Sequence, residues 1–422
     1  LSSVIGDLIF MKDCIVLGAG MVGVGTALAL QRLGVAVTLA DRRPAGEETS
    51  YGNAGIIQME AVEPYPFPRQ AGEILSAALG FNDKVRWRAG SLHRWAGPVL
   101  RYFLASAPAS HRRIAAVYSA MIRQAGEDHA PLIEAAGAGD LIRRDGFRDV
   151  YRRPRSFDQA VHEAERLRRE FGVAARIETG QDLAQAEPTL RIGLAGAVHW
   201  TDAWSCADPG ALTAAYARLF SARGGATVTA DATTLRQTAG GWRIDGPDGP
   251  IEAEHVVVAL GPWSADLLRP LGYRIPMFFK RGYHQHFTGG RGPDLPLIDA
   301  DRGIVVAPMR KGLRVLTGAE LTDLTAGATR HQIDRARMAA GELFDLGTPV
   351  ESEAWFGNRP CLPGMLPVVG RAPRHKGLWL NFGHGHQGFT LGPTTGRMLA
   401  GELAGNERVP GELGLGGVRG AS

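Results

Sequence analysis

Apolar residues first form a short unbroken run at positions 14–17, then a helical pattern over 21–33 that stops at Gly34, then a second short run at 35–40. Four apolar residues in a row suit a strand covered on both faces, and the 3.6-residue period that follows marks a helix packed over it. The spacing predicts a strand, helix, strand unit with parallel strands. From 42 to 68 the periodicity is broken by Pro44, Gly46, Gly52, Asn53, Gly55, Pro64, Pro66 and Pro68, so a loop with a function of its own is expected. Helical periods return at 92–104, 114–136 and 158–171, with an extended segment at 140–152. A helix opened by Asp208-Pro209 is expected over 208–223, followed by strands at 226–230, 241–251 and 255–260. Extended segments at 282–287, 303–308 and 313–317 precede a helix at 330–346, a strand at 377–381 and a last helix at 391–403.

Composition narrows this without redirecting it. The 422 residues exceed what one compact core usually takes, which implies two domains. Hydrophobic residues at 45% and charged residues at 21% are those of a globular protein, and 56 glycines point to many close backbone approaches. Cys14, Cys206 and Cys361 are too few and too scattered for a disulfide framework or a metal site, so a reducing, cytoplasmic setting is expected. Positions 1–10 lack a basic start and carry Asp7, unlike a signal peptide, and Met11 is the expected natural start. No apolar run reaches the roughly 18 residues of a membrane span. Lys plus Arg at 47 against Asp plus Glu at 43 gives no reason to expect a nucleic-acid partner.

Candidate chemistry begins at Gly18-Ala19-Gly20-Met21-Val22-Gly23, between the first strand and its helix. Gly18 permits a tight turn, Gly20 lets a pyrophosphate approach the backbone, and Gly23 lets the helix pack closely on the strand. Asp41 closes the second strand, near the distance expected for an acid that binds a ribose hydroxyl. A surface turn would not explain Asp41, so a dinucleotide site is expected. Whether it takes a flavin or a nicotinamide dinucleotide is not decided by residues 18–41.

Further segments carry a resemblance. Thr49-Ser50-Tyr51-Gly52-Asn53-Ala54-Gly55-Ile56-Ile57, the run from Val256 through Gly261-Pro262-Trp263-Ser264, Arg281-Gly282-Tyr283-His284, Gly357-Asn358-Arg359-Pro360 and Gly383-His384-Gly385-His386-Gln387-Gly388-Phe389-Thr390 together resemble the FAD-dependent D-amino-acid dehydrogenase family, within the D-amino-acid oxidase and glycine oxidase group. The resemblance spans nearly all of 11–403. It implies an α/β fold: a Rossmann-type FAD-binding domain from 11–62, 207–271 and 368–403, and a discontinuous α+β substrate domain from 63–206 and 272–367 built on a mixed sheet. It implies FAD bound non-covalently. The expected contacts are Gly18, Gly20, Met21, Val22 and Gly23 at the turn, Asp41, Arg42 and Arg43 after the second strand, and Ser50, Asn53, Ala54 and Gly55 in the loop. Val228, Gly261 and Trp263 are expected under the dinucleotide, and Gly385, Gly388, Phe389 and Thr390 at the C-terminal loop.

The implied reaction is amino-acid catabolism: removal of hydride from Cα of a D-amino acid to FAD, giving an imino acid that hydrolyses to a 2-oxo acid and ammonia. A secondary or cyclic amino acid (a D-proline derivative, sarcosine or glycine), or a flavin-binding subunit that needs a partner, stays open. Arg359 is the expected carboxylate anchor, since a planar guanidinium grips a carboxylate in two places. Tyr283, His284 and His384 are expected at the substrate. Tyr283 and His284 lie on opposite faces of their strand, and which face meets the substrate is open. His384 and His386 lack further ligands at metal spacing, so no metal is expected. The residues around Cys361 do not match a covalent flavin site.

One stretch bears on the electron acceptor. Positions 84–113 hold Lys84, Arg86, Arg88, Arg94, Arg101, Arg112 and Arg113 but no Asp or Glu, and Leu92, Trp95, Val99 and Phe103 recur at helical spacing. Such a helix either buries its stripe in its own domain or lies in an anionic membrane interface. The family's dehydrogenases pass electrons to the respiratory chain, which implies a quinone or other acceptor besides oxygen and contact with the inner face of the membrane.

Overall fold

A computed structural model of the chain describes residues 13–70, 72 and 85–419; the expected start at Met11 and the first charge of the basic stretch, Lys84, lie outside the described residues. Six strands form one sheet in the order Ala226–Thr229, Val37–Asp41, Cys14–Leu17, His255–Val258, Leu378–Phe382, Val368–Arg371. All neighbours are parallel except the last pair. The unbroken apolar run has a direct cause here. Cys14 and Val16 enter the core beneath the helices, while Ile15 and Leu17 enter a second core on the opposite face with Trp242 and Ile244.

Helix Met21–Arg32 lies on the first face beside the last long helix, Gly388–Leu403. Their backbones meet through glycine. A Cβ at Gly25 would stand 2.9 Å from the Gly392 carbonyl oxygen, and one at Gly396 would stand 2.6 Å from the Thr26 nitrogen. Asn381 Nδ2 donates to Thr26 Oγ1 at 2.9 Å, which ties the sheet to this pair.

An eleven-stranded mixed sheet stands over the carboxyl ends of the parallel strands. Its axis is the 14-residue strand Phe278–Arg291, which pairs antiparallel with Gly312–Leu316, Ala319–Thr322, Asp345–Pro349 and Trp355–Cys361. Farther out come Ile304–Met309, Leu297–Asp299, Phe147–Tyr151, Gly196–Trp200 and Ala175–Thr179. A buried ion cluster crosses that edge, with Arg148 bonded to Glu178 and Glu187, both at 2.7 Å.

Several elements differ from expectation. Positions 114–136 form two helices, Pro108–Ile122 and Ala125–Ala135, because each turns a separate apolar face to the core and the pattern continues across the corner. The helix expected to reach 346 ends at Leu343, since Asp345–Pro349 pairs with the long strand through Gly347. Strands Ala175–Thr179, Gly196–Trp200 and Asp231–Gln237 were not expected; they are short and mostly unalternating. In helix Leu92–Ala105 the expected stripe is divided. Trp95 and Tyr102 are buried against Phe278 and Leu321 and Val99 packs beside them, whereas Leu92, Leu100 and Leu104 point outward. Trp95 and Val99 therefore serve the protein's own core.

The glycine contact between the two long helices yields a stability prediction. Gly396→Ala should lower stability by about 1–3 kcal/mol, as forced overpacking does, read as a fall in melting temperature with and without cofactor. An unchanged melting temperature would mean that the helices are not held at this distance.

Candidate active site

A cavity of about 930 Å³ runs from the Gly18 turn to the strand bearing Arg359. It opens at the carboxyl ends of the parallel strands, where ligands of such sheets bind. Gly18 has φ +107°, and a Cβ there would stand 2.5 Å from the Ala259 carbonyl oxygen. The Asp41 carboxylate shapes the same turn, accepting from the Ala19 N–H at 2.6 Å and the Arg43 N–H at 3.1 Å. Ser50 Oγ accepts from the Met21 N–H at 2.9 Å, so the loop is tied to the helix start. A glycine-lined helix N-terminus, an acid at the end of the second strand and a long cleft fit the pyrophosphate and ribose of a dinucleotide.

The opposite end is built by two paired strands. Register sets Lys280 opposite Arg359, Gly282 opposite Gly357, and His284 opposite Trp355. These residues share the face toward the cavity, because side chains alternate along a strand. Arg359 lies across Gly282, where a Cβ would be 2.7 Å from the guanidinium. Among the described residues its one hydrogen bond is to the Gly318 carbonyl at 3.3 Å, and no carboxylate pairs with it. Burial lowers its pKa. A half-buried guanidinium that faces the cavity with free donors suits an anionic ligand.

Loop 383–387 leads into helix Gly388–Leu403, whose N-cap residue Gln387 makes no side-chain cap. Gly385 donates its N–H to the Pro360 carbonyl at 2.9 Å, which joins the loop to the Arg359 strand. Burial brings His384 down to about 3, and its Nε2 shares a 3.0 Å hydrogen bond with Thr395 Oγ1. His386 is also held near 3, by burial first and then by the charges of Arg359 and Lys280. Both imidazoles are neutral near pH 7.

Of the expected residues, Gly18, Gly20, Met21, Val22, Asp41, Arg42, Ser50, Asn53, Ala54, Gly261, Trp263, Gly385, Gly388, Phe389, Tyr283, Arg359 and His384 line the cavity. Others do not. Gly23 packs under the turn, where a Cβ would be 1.7 Å from the Gly18 carbonyl oxygen, and Gly55 is closed off by the Cys206 carbonyl at 2.2 Å. Arg43 points outward toward Glu48. Val228 pairs with Ala40, so the chain reaches the cavity only beyond it, at 230–233. Thr390 is buried, its Oγ1 accepting from the Gln58 N–H at 3.1 Å.

Tyr283 borders the cavity, yet its hydroxyl turns to the far side of the sheet, donating to Glu320 at 2.5 Å. His284 is off the cavity wall, which corrects its expected place at the substrate. His284 is covered by Trp355, stacked at 4.8 Å. His286, behind it, links Glu351 to Arg314: Arg314 Nε donates to His286 Nε2 at 2.9 Å, so the ring proton sits on Nδ1, 2.7 Å from Glu351. Arg314 Nη1 also donates to the Tyr51 and Asn53 carbonyls at 2.9 and 2.6 Å, which pins the loop after the second strand.

Sequence reading passed over Lys280, Gln58, Tyr65 and Tyr102 and weighed His386 only as a metal ligand, yet all five are on the cavity wall. Alternation from Gly282 would have found Lys280; the others depend on loop placement. Gln58 and Gln387 form a chain of 2.9 Å bonds running from Glu60 toward His386.

Burial pushes the Glu60 carboxyl up to about 8, with its backbone and Gln58 hydrogen bonds offsetting part. Because the native state keeps this proton where the unfolded chain, at an ordinary value of 4.5, releases it, the associated stability is lost as pH rises through 8. Glu60→Gln should therefore gain stability relative to the wild type between pH 5 and 8.5, read as diverging melting curves. Parallel curves would contradict a retained proton.

The FAD dependent oxidoreductase family model matches residues 13–402. The chain is 31% identical over 407 residues to a D-amino-acid oxidase of Bradyrhizobium diazoefficiens, covering 93% of this chain and 95% of that protein. It is 32% identical over 421 residues to a D-amino acid dehydrogenase of Dechloromonas aromatica, covering 94% and 98%. The fold matches glycine oxidase from Geobacillus kaustophilus with a TM-score of 0.69 at 19% identity, covering 96% of this chain and 98% of that one.

Proposed function

The chain belongs to the family of FAD-dependent oxidoreductases, and on that basis we propose that it oxidises the Cα–N bond of a D-amino acid to an imino acid, which hydrolyses to a 2-oxo acid and ammonia. The observation that carries this reading is Arg359, a guanidinium without a carboxylate partner among the described residues, on the wall of the cavity that begins at the dinucleotide turn. The FAD domain is read as 11–62, 207–271 and 368–403, and the substrate domain as 63–206 and 272–367.

FAD, when bound, supplies the two-electron acceptor for the Cα hydrogen. The remaining work is positioning. Gly18, Gly20 and Ser50 would hold the pyrophosphate end, and Asp41 would bind the ribose. The N-terminus of helix Gly388–Leu403 would offer its first N–H groups and positive dipole end to the ring system, which would favour negative charge there. Arg359 fixes the substrate by its carboxylate. His384 and His386, neutral and buried, keep the wall free of competing charge and accept or donate hydrogen bonds without titrating near neutral pH. No described side chain is required as a dedicated base if the amine is bound neutral.

No described helix is long and apolar enough to cross a membrane. The acceptor is read as a quinone or similar oxidant, met at an anionic membrane surface. The surface for that contact is the outward face of helix Leu92–Ala105, where Leu92, Ala96, Leu100 and Leu104 recur every four residues with Arg94 and Arg101 exposed beside them.

Purified protein is expected to be yellow, to release FAD on denaturation, and to be bleached anaerobically by D- but not L-amino acids. Arg359→Ala should keep the colour yet lose about a hundredfold in kcat/KM, on the order of 3 kcal/mol. Equal rates with both enantiomers, or an unaffected variant, would remove this assignment.

Reduced enzyme should react slowly with oxygen and fast with a quinone, and should bind anionic vesicles less as salt rises. Leu100→Glu with Leu104→Glu should abolish that binding. Rapid peroxide formation would make it an oxidase, and vesicle binding unchanged by the substitutions would exclude this helix face.

A further inference from the structure

Lys280 and Arg359 are direct cross-strand partners, and both line the cavity. Directly opposed residues of an antiparallel pair have Cβ atoms about 5 Å apart; from there the Arg359 guanidinium lies over Gly282 and the Lys280 ammonium beside Tyr102, so both cations border the same end of the cavity. Among the described residues Arg359 is engaged by a single carbonyl. Lys280 Nζ donates to the Tyr102 hydroxyl at 3.3 Å and lies 4.6 Å from the centre of the Tyr102 ring and 5.9 Å from that of Phe278. This aromatic seat holds the ammonium while using one of its three donors on a hydroxyl.

Neither cation meets a carboxylate among the described residues. The acids on the cavity wall are Asp41, Glu48, Asp231 and Asp266, all at the dinucleotide end. His386, whose ring lies 5.0 Å from Tyr65 and feels the charges of both cations, is neutral and offers no compensation. One substrate carboxylate bonded to Arg359 would leave the half-buried Lys280 facing the cavity without an anionic partner.

We infer that the site is built for an amino acid carrying a second carboxylate, with Arg359 binding the α-carboxylate and Lys280 the other. This rests on the amino-acid oxidation proposed above. The second carboxylate can sit on the side chain, as in D-aspartate or D-glutamate, or on the nitrogen, as in iminodiacetate. Lys280 is then the residue that sets specificity, and Tyr102 positions it.

The test compares kcat/KM of the holoenzyme for D-aspartate, D-glutamate and iminodiacetate with D-asparagine, D-glutamine and sarcosine. At least one acid should exceed its neutral counterpart tenfold or more, and which one locates the second carboxylate. Lys280→Met should lower that ratio at least tenfold, while Lys280→Arg keeps a preference for the acid. Equal use of acid and neutral counterparts, or a Lys280→Met loss of the same factor on both, overturns the inference. A binding readout separates it from the reaction. Glutarate or succinate should raise the melting temperature more than butyrate, and Lys280→Met should remove the difference. Discrimination among these ligands without turnover of any amino acid would sink the proposed reaction and leave the two-carboxylate site standing. Turnover of neutral D-amino acids without discrimination would do the reverse.

Discussion

The contact between helices Met21–Arg32 and Gly388–Leu403 is the constraint on which the site depends. Their backbones approach through Gly25, Gly392 and Gly396, closer than any side chain would allow. Close parallel packing brings two helix N-termini, from opposite ends of the chain, to the border of one cavity. Each terminus carries unpaired N–H groups and a partial positive charge. The favourable field for negative charge thus reaches the cavity from two helix starts instead of one.

The loop between the second strand and Ile56–Ile57 lines the cavity and is tied to the helix start through Ser50. Arg314 supplies the support from the opposite sheet, binding two loop carbonyls and His286, which is backed by Glu351. Burial lowers the Arg314 pKa to about 10, so the charge is retained at neutral pH. A buried guanidinium is stabilising only while all its partners are in place. The histidines of the long strand thus act on loop position, and Trp355 stacked over His284 separates them from the cavity.

The two ends of the cavity differ in charge. Asp41, Glu48, Asp231 and Asp266, with Arg42 as the cation among them, border the end made by the parallel strands, and Lys280 and Arg359 border the end made by the antiparallel strands. That separation gives a long ligand one orientation. The neutral His384 and His386 keep the boundary free of titration over the physiological range.

By itself the sequence determined the first strand, its glycine turn and Asp41, because a parallel strand covered on both faces and a phosphate-binding turn each impose a local pattern. It also marked Arg359, through the resemblance of the segment around it. What it left undecided was which face of the long strand meets the ligand, since alternation separates Tyr283 from His284 without saying which side is inside. The pairing of Trp355–Cys361 with Phe278–Arg291 decided that, turning Tyr283 to Glu320, covering His284 with Trp355 and placing Lys280 beside Arg359. The same limit applied to helix Leu92–Ala105, whose apolar positions were legible while their division between core and surface was not. Periodicity records that a residue is apolar or that two residues share a face; only the packing of elements far apart in the chain decides what that face meets.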